Sequence, residues 1–374
     1  MSADALPAAA RPLPWWLGGL LIPTVQLALA LAVASLVVLM VGENPLQVMT
    51  AMVSSALDPS IGLASTLYYT THLIFTGLAV AVAFHAGLFN IGGEGQAYFA
   101  GLGVALACLW LDHVLGAPLM FLVAWLAAML FGAAWALIPA WLQARRGAHI
   151  VVTTIMFNYI AAALMNYLLV GPIKSSTSQG LETRSWEATA MLPRITDTLA
   201  GWGWDVGTSL LNYSLLVAIL AVAAVWWLLW HTRLGYALRV LGQNPKAADY
   251  AGLSAQKLII IAMLISGALA GLMALNDVYG GQGRLILSYT SGLGFLGIAV
   301  ALMGRNHPLG VAAAAFVFGV LIQGTGDLQF DFPRINPNLI LVIQGLVIFF
   351  AAALDSLVRS PIENQFRRWQ RARG

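Results

Sequence analysis

Apolar runs separated by short polar segments dominate the chain and predict its elements. A helix needs about 20 apolar residues to cross a bilayer. Runs of this kind predict about ten transmembrane helices and therefore an all-α polytopic membrane protein. Their ranges are 16–41, 64–86, 91–112, 117–142, 149–171, 210–230, 257–275, 288–304, 308–325 and 338–357.

The longest polar interruption, residues 172–209, divides these runs into five before it and five after it. Two halves with an odd number of spans have opposite orientations, which is the inverted-repeat plan of many transporters. We therefore expect residues 1–374 to form a single transmembrane domain with pseudo-repeats at 16–171 and 210–357. The repeated sequences Gly42-Glu43-Asn44-Pro45 and Gly242-Gln243-Asn244-Pro245, one in each half, favour this plan.

Composition and charge set the environment and orientation of these helices. The chain is 60% hydrophobic and only 9% charged, too little charge for the surface of a soluble protein of this size. Most lysines and arginines fall in the segments that face the cytoplasm if the N-terminus is inside, including 231–256, so the positive-inside rule favours that orientation. The basic tail, 367–373, is expected to lie against anionic membrane lipid, and the basic pI is not evidence for nucleic-acid binding.

The predicted outer segment 172–209 contains Trp186, Trp202 and Trp204. Tryptophan is enriched at membrane interfaces, so these side chains are expected to act as interfacial anchors or, alternatively, to cover a face for a binding protein. The single cysteine, Cys108, excludes an internal disulfide.

The cytoplasmic segment 231–256 contains a short helix with signals at both ends. Asn244 is a good N-cap, Pro245 suits the first helical position, and Gly252 permits a left-handed stop, so a helix is predicted over 245–251. Small residues such as Ala247 and Ala248 would let a partner surface approach closely. An ordinary connecting helix is the alternative.

Glycine-rich breaks interrupt the apolar pattern at 87–96 and 280–297. Backbone freed from a helix at membrane depth is tolerated only where protein or a water-filled cavity satisfies it, and transporters place substrate at such breaks. The residues predicted to line a substrate pathway are Asn90, Glu94, Gln96, Asn158, Asn276, Gln282, Ser291 and Phe295. The alternatives are a helix cap for Glu94, an interhelical hydrogen bond for Asn158 and simple packing for Phe295.

Enzyme motifs are missing from the sequence. HExxH, GxSxG and GxxxxGK[ST] do not occur, so no catalytic residue, no metal site and no cofactor is predicted in this chain. Gly324-Thr325-Gly326-Asp327 is similar to the GxGD of intramembrane aspartyl proteases, but the second aspartate after a tyrosine is missing. Glu94 and Asp277 are the only plausible membrane acids for ion coupling, which favours an externally powered permease over a secondary carrier.

The motifs resemble those of permease subunits in bacterial ATP-binding-cassette importers of the branched-chain amino acid, ribose and nucleoside group. The resemblance rests on four stretches, in order along the chain: Phe89-Asn90-Ile91-Gly92-Gly93-Glu94-Gly95-Gln96, Thr154 to Ile160, Ser266 to Gly271 and Gly297 to Gly310. It is strongest to the longer permease of nucleoside importers, with simple sugars as the alternative substrate.

This resemblance implies a multi-pass protein of the bacterial inner membrane that works by alternating access. Its implied partners are an ATPase subunit, which binds ATP and Mg²⁺, a second permease subunit and an extracytoplasmic substrate-binding protein. It also implies that segment 231–256 docks on the ATPase. The coupling residues are Gly242, Asn244, Pro245, Ala247, Ala248, Tyr250 and Gly252.

Overall fold

The computed structural model of the chain describes residues 17, 21–191, 193–203, 207–336, 338–346, 349, 350, 361, 362 and 364–366. Its described residues form helices joined by turns, with an isolated antiparallel bridge between Glu182 and Ile286. The all-helical prediction is therefore confirmed.

The chain divides into two compact units. The first comprises residues 1–45 and 337–374, whose described part contains helix α1 (Ile22–Met40) and the helical residues 338–346. The predicted span 338–357 and the basic tail 367–373 lie largely or wholly outside the described residues.

The second unit, residues 46–336, contains the remaining elements. Its helices before the long connection are α2 (Pro45–Leu57), α3 (Gly62–His85), α4 (Gly93–Leu111), α5 (Ala117–Arg146) and α6 (Ile150–Val170). After α6 come α7 (Ile195–Gly201), α8 (Ser214–His231), α9 (Arg233–Gln243), α10 (Pro245–Tyr250) and α11 (Ala255–Ala274). A π-helix (Leu275–Gln282), α12 (Leu293–Met303) and α13 (Pro308–Asp331) complete it.

Six of the described helices are long and apolar enough to cross a membrane, or seven if α1 and α2 count as one broken span. The multi-pass prediction is confirmed at this coarser level. Helix α12 departs from its predicted span, 288–304, because it begins only at Leu293 and has 11 residues, about 16 Å of helix against a hydrocarbon core of about 30 Å. It is a half-helix preceded by non-helical chain.

Helix α3 is the centre of the second unit. Its side chains are buried on all faces, against α8, α11, α12 and α13. Threonine hydroxyls on this helix donate to its own carbonyls, as Thr70 does to Thr66 at 2.7 Å, so polar groups are satisfied inside the bundle. By contrast, α5 and α6 leave most of their apolar surface outside the bundle, as expected of helices that meet lipid or another subunit.

The segment 231–256 folds as two helices rather than as a polar loop. Helix α9 buries Ala237, Leu238 and Leu241 and exposes Tyr236. The predicted capping of α10 is confirmed, because Asn244 Oδ1 accepts from the amides of Lys246 (3.1 Å) and Ala247 (3.2 Å). Gly252 has φ +72°, the left-handed conformation predicted for the stop.

The connection 171–213 is held against the protein. Backbone bonds join Thr183 to Leu285 (3.0 Å) and Trp186 to Gly283 (2.9 Å). Trp186 is 3% exposed, so its prediction as an interfacial anchor is wrong: its ring packs inside the protein. Trp202 is 78% exposed, as an anchor requires, and Trp204 lies outside the described residues.

Candidate substrate pathway

The first break lies between α3 and α4. Helix α3 ends at His85, Gly87 adopts φ +73°, and the chain stays non-helical until Gly93. Two amide side chains satisfy the freed backbone: Asn90 Oδ1 accepts from the Gly92 amide at 2.8 Å, and Asn158 Nδ2 donates to the Ile91 carbonyl at 2.9 Å. These bonds are what backbone at membrane depth requires.

Three of the residues predicted for the pathway are fully engaged in holding this break. Asn90 donates to Gln96 (3.0 Å) and to Ser266 on α11 (2.8 Å), and Gln96 donates back to Asn90 (3.2 Å). Asn158 Oδ1 accepts from the Gly95 amide at 2.9 Å. All three residues are buried, so the structure places them as supports of the broken segment.

Glu94 connects the first break to the second. Its carboxylate accepts hydrogen bonds from the Thr290 hydroxyl, the Gly292 amide (3.0 Å) and the Gly294 amide (2.9 Å). These donors lie at the start of α12, where free amides and the helix dipole favour a negative charge. Glu94 therefore caps a helix, as the alternative interpretation held, but the helix is α12, about 200 residues away, and not α4.

The second break runs from the π-helix to the start of α12. Ser288 (φ +61°) and Ser291 (φ +47°) adopt the left-handed conformation, which is strained for residues other than glycine. Ser291, Gln282 and Phe295 (45% exposed) lie on the surface of the second unit, whereas Asn276 is fully buried. The predicted pathway residues thus separate into buried supports and an exposed group.

The structure contains a polar cluster around the π-helix. Of its residues, only Asn276 was predicted from the sequence as part of the pathway. His72, near the middle of α3, contacts Asp277 through Nε2 and Oδ2 at 3.3 Å and Asn276 through Nδ1 at 2.9 Å. Asn212, just before α8, donates to Asn276 Oδ1 at 3.0 Å. An ionisable residue inside an apolar run indicates a functional site, so the position of His72 in the sequence could have identified this cluster.

An ion pair fixes the connection 171–213 to the end of α4. Arg184 binds both oxygens of the buried Asp112, at 2.7 and 3.0 Å, and the Glu187 amide donates to the same carboxylate. Burial alone would raise the pKa of Asp112, but the hydrogen bonds from Arg184, Glu187 and His113 outweigh it and lower the pKa to about 2. Asp112 is therefore ionised throughout the neutral range, and the pair holds the connection over the π-helix.

The residues predicted to couple to an ATPase lie on and beside α10. Asn244, Pro245, Ala247, Tyr250 and Gly252 are exposed. Gly242 is also exposed, but a Cβ there would lie 2.8 Å from the Gly87 amide nitrogen, so its small size lets the segment meet the turn after α3.

Ala248 is placed differently from the prediction. Its side chain is fully buried in a cluster with Leu238, Leu241 and Leu258 of the same chain. The helix needs this face to pack on α9 and α11, so the assignment of Ala248 to a partner surface is wrong.

Within the described residues, no group of three or more His, Cys, Asp or Glu side chains has the arrangement of a metal site.

Residues 62–352 match the family described as branched-chain amino acid transport system / permease component. A glucose ABC transporter permease of Haloferax volcanii is 34% identical over 365 residues, 96% of this chain and 93% of that protein.

Two further relatives have similar coverage. A nucleoside ABC transporter permease of Lactococcus lactis is 32% identical over 89% of this chain and 90% of its own. A guanosine ABC transporter permease of Bacillus subtilis is 32% identical over 90% of this chain and 94% of its own. The chain belongs to the branched-chain amino acid transport system permease family, as its motifs indicated. It is a transport component and not an enzyme, and ATP hydrolysis belongs to a partner subunit.

Proposed function

We propose that this chain is one of two permease subunits of an ATP-driven importer that moves nucleosides across the bacterial inner membrane by alternating access. The observation that carries the proposal is the match, over about nine-tenths of the chain, to permeases named for nucleosides and guanosine. A second Lactococcus lactis permease named for nucleosides is also similar to this chain, which supports a heteromeric pair. The other partners are an ATPase subunit, which binds ATP and Mg²⁺, and an extracytoplasmic substrate-binding protein.

The proposed architecture is a single transmembrane domain of about ten spans in two inverted halves, 16–171 and 210–357. Its support is local: Asn44-Pro45 and Asn244-Pro245 each precede or begin a helix, α2 in one half and α10 in the other. With segment 231–256 in the cytoplasm, connection 171–213 faces the binding protein.

The proposed pathway runs along the second break, past Gln282, Ser291 and Phe295. Asn90, Gln96 and Asn158 support the first break, and Glu94 joins it to α12. A movement of the turn after α3 is then passed to the half-helix α12 through the Glu94 carboxylate. This link gives a route for alternating access, in which a broken element moves against a fixed bundle.

The coupling surface is proposed to be the exposed face of α10. Tyr250 is 94% exposed, and aromatic side chains supply much of the binding energy where proteins meet. We expect Tyr250→Ala to leave the permease folded but to lower substrate-stimulated ATP hydrolysis by about tenfold, since losing an interface anchor costs at least about 1–2 kcal/mol. The measurement is ATPase activity of the purified complex in lipid.

Tyr167→Ala is the matched control. Tyr167 is 70% exposed near the end of α6, at the opposite end from segment 231–256 in the proposed topology, and its variant should hydrolyse ATP as the original does. Equal ATPase activity of the Tyr250 and Tyr167 variants would show that Tyr250 is not part of the coupling surface.

The substrate is tested with sealed vesicles that contain the complete transporter and its binding protein. We expect ATP-dependent uptake of a labelled nucleoside that excess unlabelled nucleosides inhibit and free ribose does not. The simple-sugar alternative has its own support in the Haloferax volcanii glucose permease. Equal inhibition by ribose or glucose would favour that alternative, and uptake without ATP would favour a secondary carrier.

A further inference from the structure

The polar cluster on the π-helix contains a buried acceptor that the fold does not use. Asp277 is 6% exposed and lies where α11 changes from α-helical to π-helical geometry. Single-turn π segments inside helices are frequent at functional sites. His72 lies ten residues after the start of α3 at Gly62, about 15 Å along the helix, so the cluster is well inside the bundle.

Hydrogen bonds fix the orientation of the His72 ring. Asn212 donates to Asn276 Oδ1, which leaves Asn276 Nδ2 as the donor toward the Tyr68 carbonyl (3.1 Å) and His72 Nδ1 (2.9 Å). His72 Nδ1 also lies 3.0 Å from the Tyr68 carbonyl. Because Nε2 faces a carboxylate oxygen, which accepts, the ring donates there through an Nε2 proton. It points to Asp277 Oδ2, at 3.3 Å.

Only one oxygen of Asp277 has a partner. None of the described residues donates a hydrogen bond to Oδ1, although this atom is buried. An unpaired acceptor in such a place is costly, and membrane acids with this arrangement mark solute pathways. The Tyr68 hydroxyl lies beside the Asp277 carboxylate but makes no hydrogen bond to Oδ1, so this atom can accept from a molecule that enters the cluster.

We propose that Asp277 Oδ1 accepts a hydrogen bond from a sugar hydroxyl of the transported solute, with His72 as the positioning residue. The proposal rests on the proposed nucleoside transport. A neutral hydroxyl fits better than a cation, because the Arg194 guanidinium already donates to the Gly281 carbonyl of the same π-helix at 3.2 Å. Solute reaches the atom when connection 171–213, which contacts this π-helix through Tyr279 and Ala190, moves away from it.

Asp277→Asn is the decisive variant. Because His72 Nε2–H donates toward position Oδ2, the new amide turns its oxygen to His72 and its NH₂ to the place of Oδ1. The substitution therefore replaces an acceptor by a donor at nearly constant volume. It should weaken recognition of a solute with ribose 2′- and 3′-hydroxyls and spare a solute that lacks these two groups.

The experiment compares initial ATP-dependent uptake of inosine and of 2′,3′-dideoxyinosine by vesicles with the complete transporter. The preference of the binding protein is the same for the original and variant permease, so it cancels when the two inosine-to-dideoxyinosine ratios are compared. We expect this ratio to be about tenfold smaller in Asp277→Asn, as the loss of a hydrogen bond to a charged group implies. An unchanged ratio, with uptake of both compounds falling only as the amount of folded protein falls, would overturn the proposal.

Two further arms keep the result interpretable. If Asp277→Asn does not accumulate, Asp277→Ser is measured in the same way, because its shorter side chain withdraws the acceptor and should lower the ratio equally. If the original vesicles take up ribose and no nucleoside, the proposed substrate is wrong. Uptake of ribose is then compared with uptake of 2-deoxyribose in the same way. A smaller ribose-to-deoxyribose ratio in the variant supports the hydrogen bond to Asp277, and an unchanged ratio rejects it.

Discussion

Glu94→Ala should abolish transport and sharply lower the amount of folded protein. The substitution removes the acceptor for the Thr290 hydroxyl and for the amides of Gly292 and Gly294, all at the start of α12. Each buried donor left without a partner costs about 1–3 kcal/mol, so the loss is a large part of the stability of a typical domain. The measurement is the thermal midpoint and yield of the purified permease, together with uptake.

Two comparisons isolate the cap. Glu94→Gln keeps the shape and one acceptor but loses the negative charge opposite the helix N-terminus, so it should fall between the original and Glu94→Ala. Glu187→Ala removes an exposed glutamate side chain and should change neither yield nor uptake. A Glu94→Ala protein as stable as Glu187→Ala would contradict the cap.

Local signals predicted some of these elements well. Asn244, Pro245 and Gly252 set the start and end of α10 through bonds within a few residues, so the sequence carried that information. The long apolar runs likewise predicted α3, α5 and α6 within a few residues of their observed ends. A helix cap depends on residues a few positions away, and an apolar run depends on exclusion from water, so both can be recognised in the sequence.

Contacts between distant segments could not be predicted in this way. Glu94 was recognised as an acid at a break, but its donors are about 200 residues away, and nothing near Glu94 indicates them. Ala248 had the composition of a docking residue, yet composition does not tell which face of a short helix its own chain covers. The start of α12 was predicted too early: residues 288–292 read Ser-Tyr-Thr-Ser-Gly, and the left-handed conformations of Ser288, Ser291 and Gly292 keep this stretch out of the helix.

The contact between α5 and α11 explains why the candidate site has a rigid support. A Cβ on Gly132 would overlap the Gly267 carbonyl and lie 2.9 Å from the Gly271 Cα, and a Cβ on Gly267 would overlap the backbone of Gly132. The two backbones therefore meet directly, as at the small-residue interfaces of membrane helices. Ser266, which binds both Asn90 and the Ala79 carbonyl, lies next to Gly267 on the same helix.

Gly132→Leu should prevent accumulation of folded protein. Four side-chain carbons at this point must push α5 and α11 apart, because the contacting atoms are backbone and cannot turn aside. Extra carbons in a well-packed core of side chains typically cost about 1–3 kcal/mol, and a contact between two backbones should cost more. Gly132→Ala should show a smaller loss in the same direction, and both are measured as the yield of monodisperse permease extracted from membranes.

Gly116→Leu is the matched control, since a Cβ at Gly116, just before α5, has no atom within 4 Å. It adds the same side chain near the same helix and should give the yield of the original protein. If Gly132→Leu accumulates as well as Gly116→Leu, the α5 and α11 backbones are not in direct contact in the membrane. Ser266 would then lose its fixed position beside the first break, and the role given to Asn90 and Gln96 as supports would fail with it.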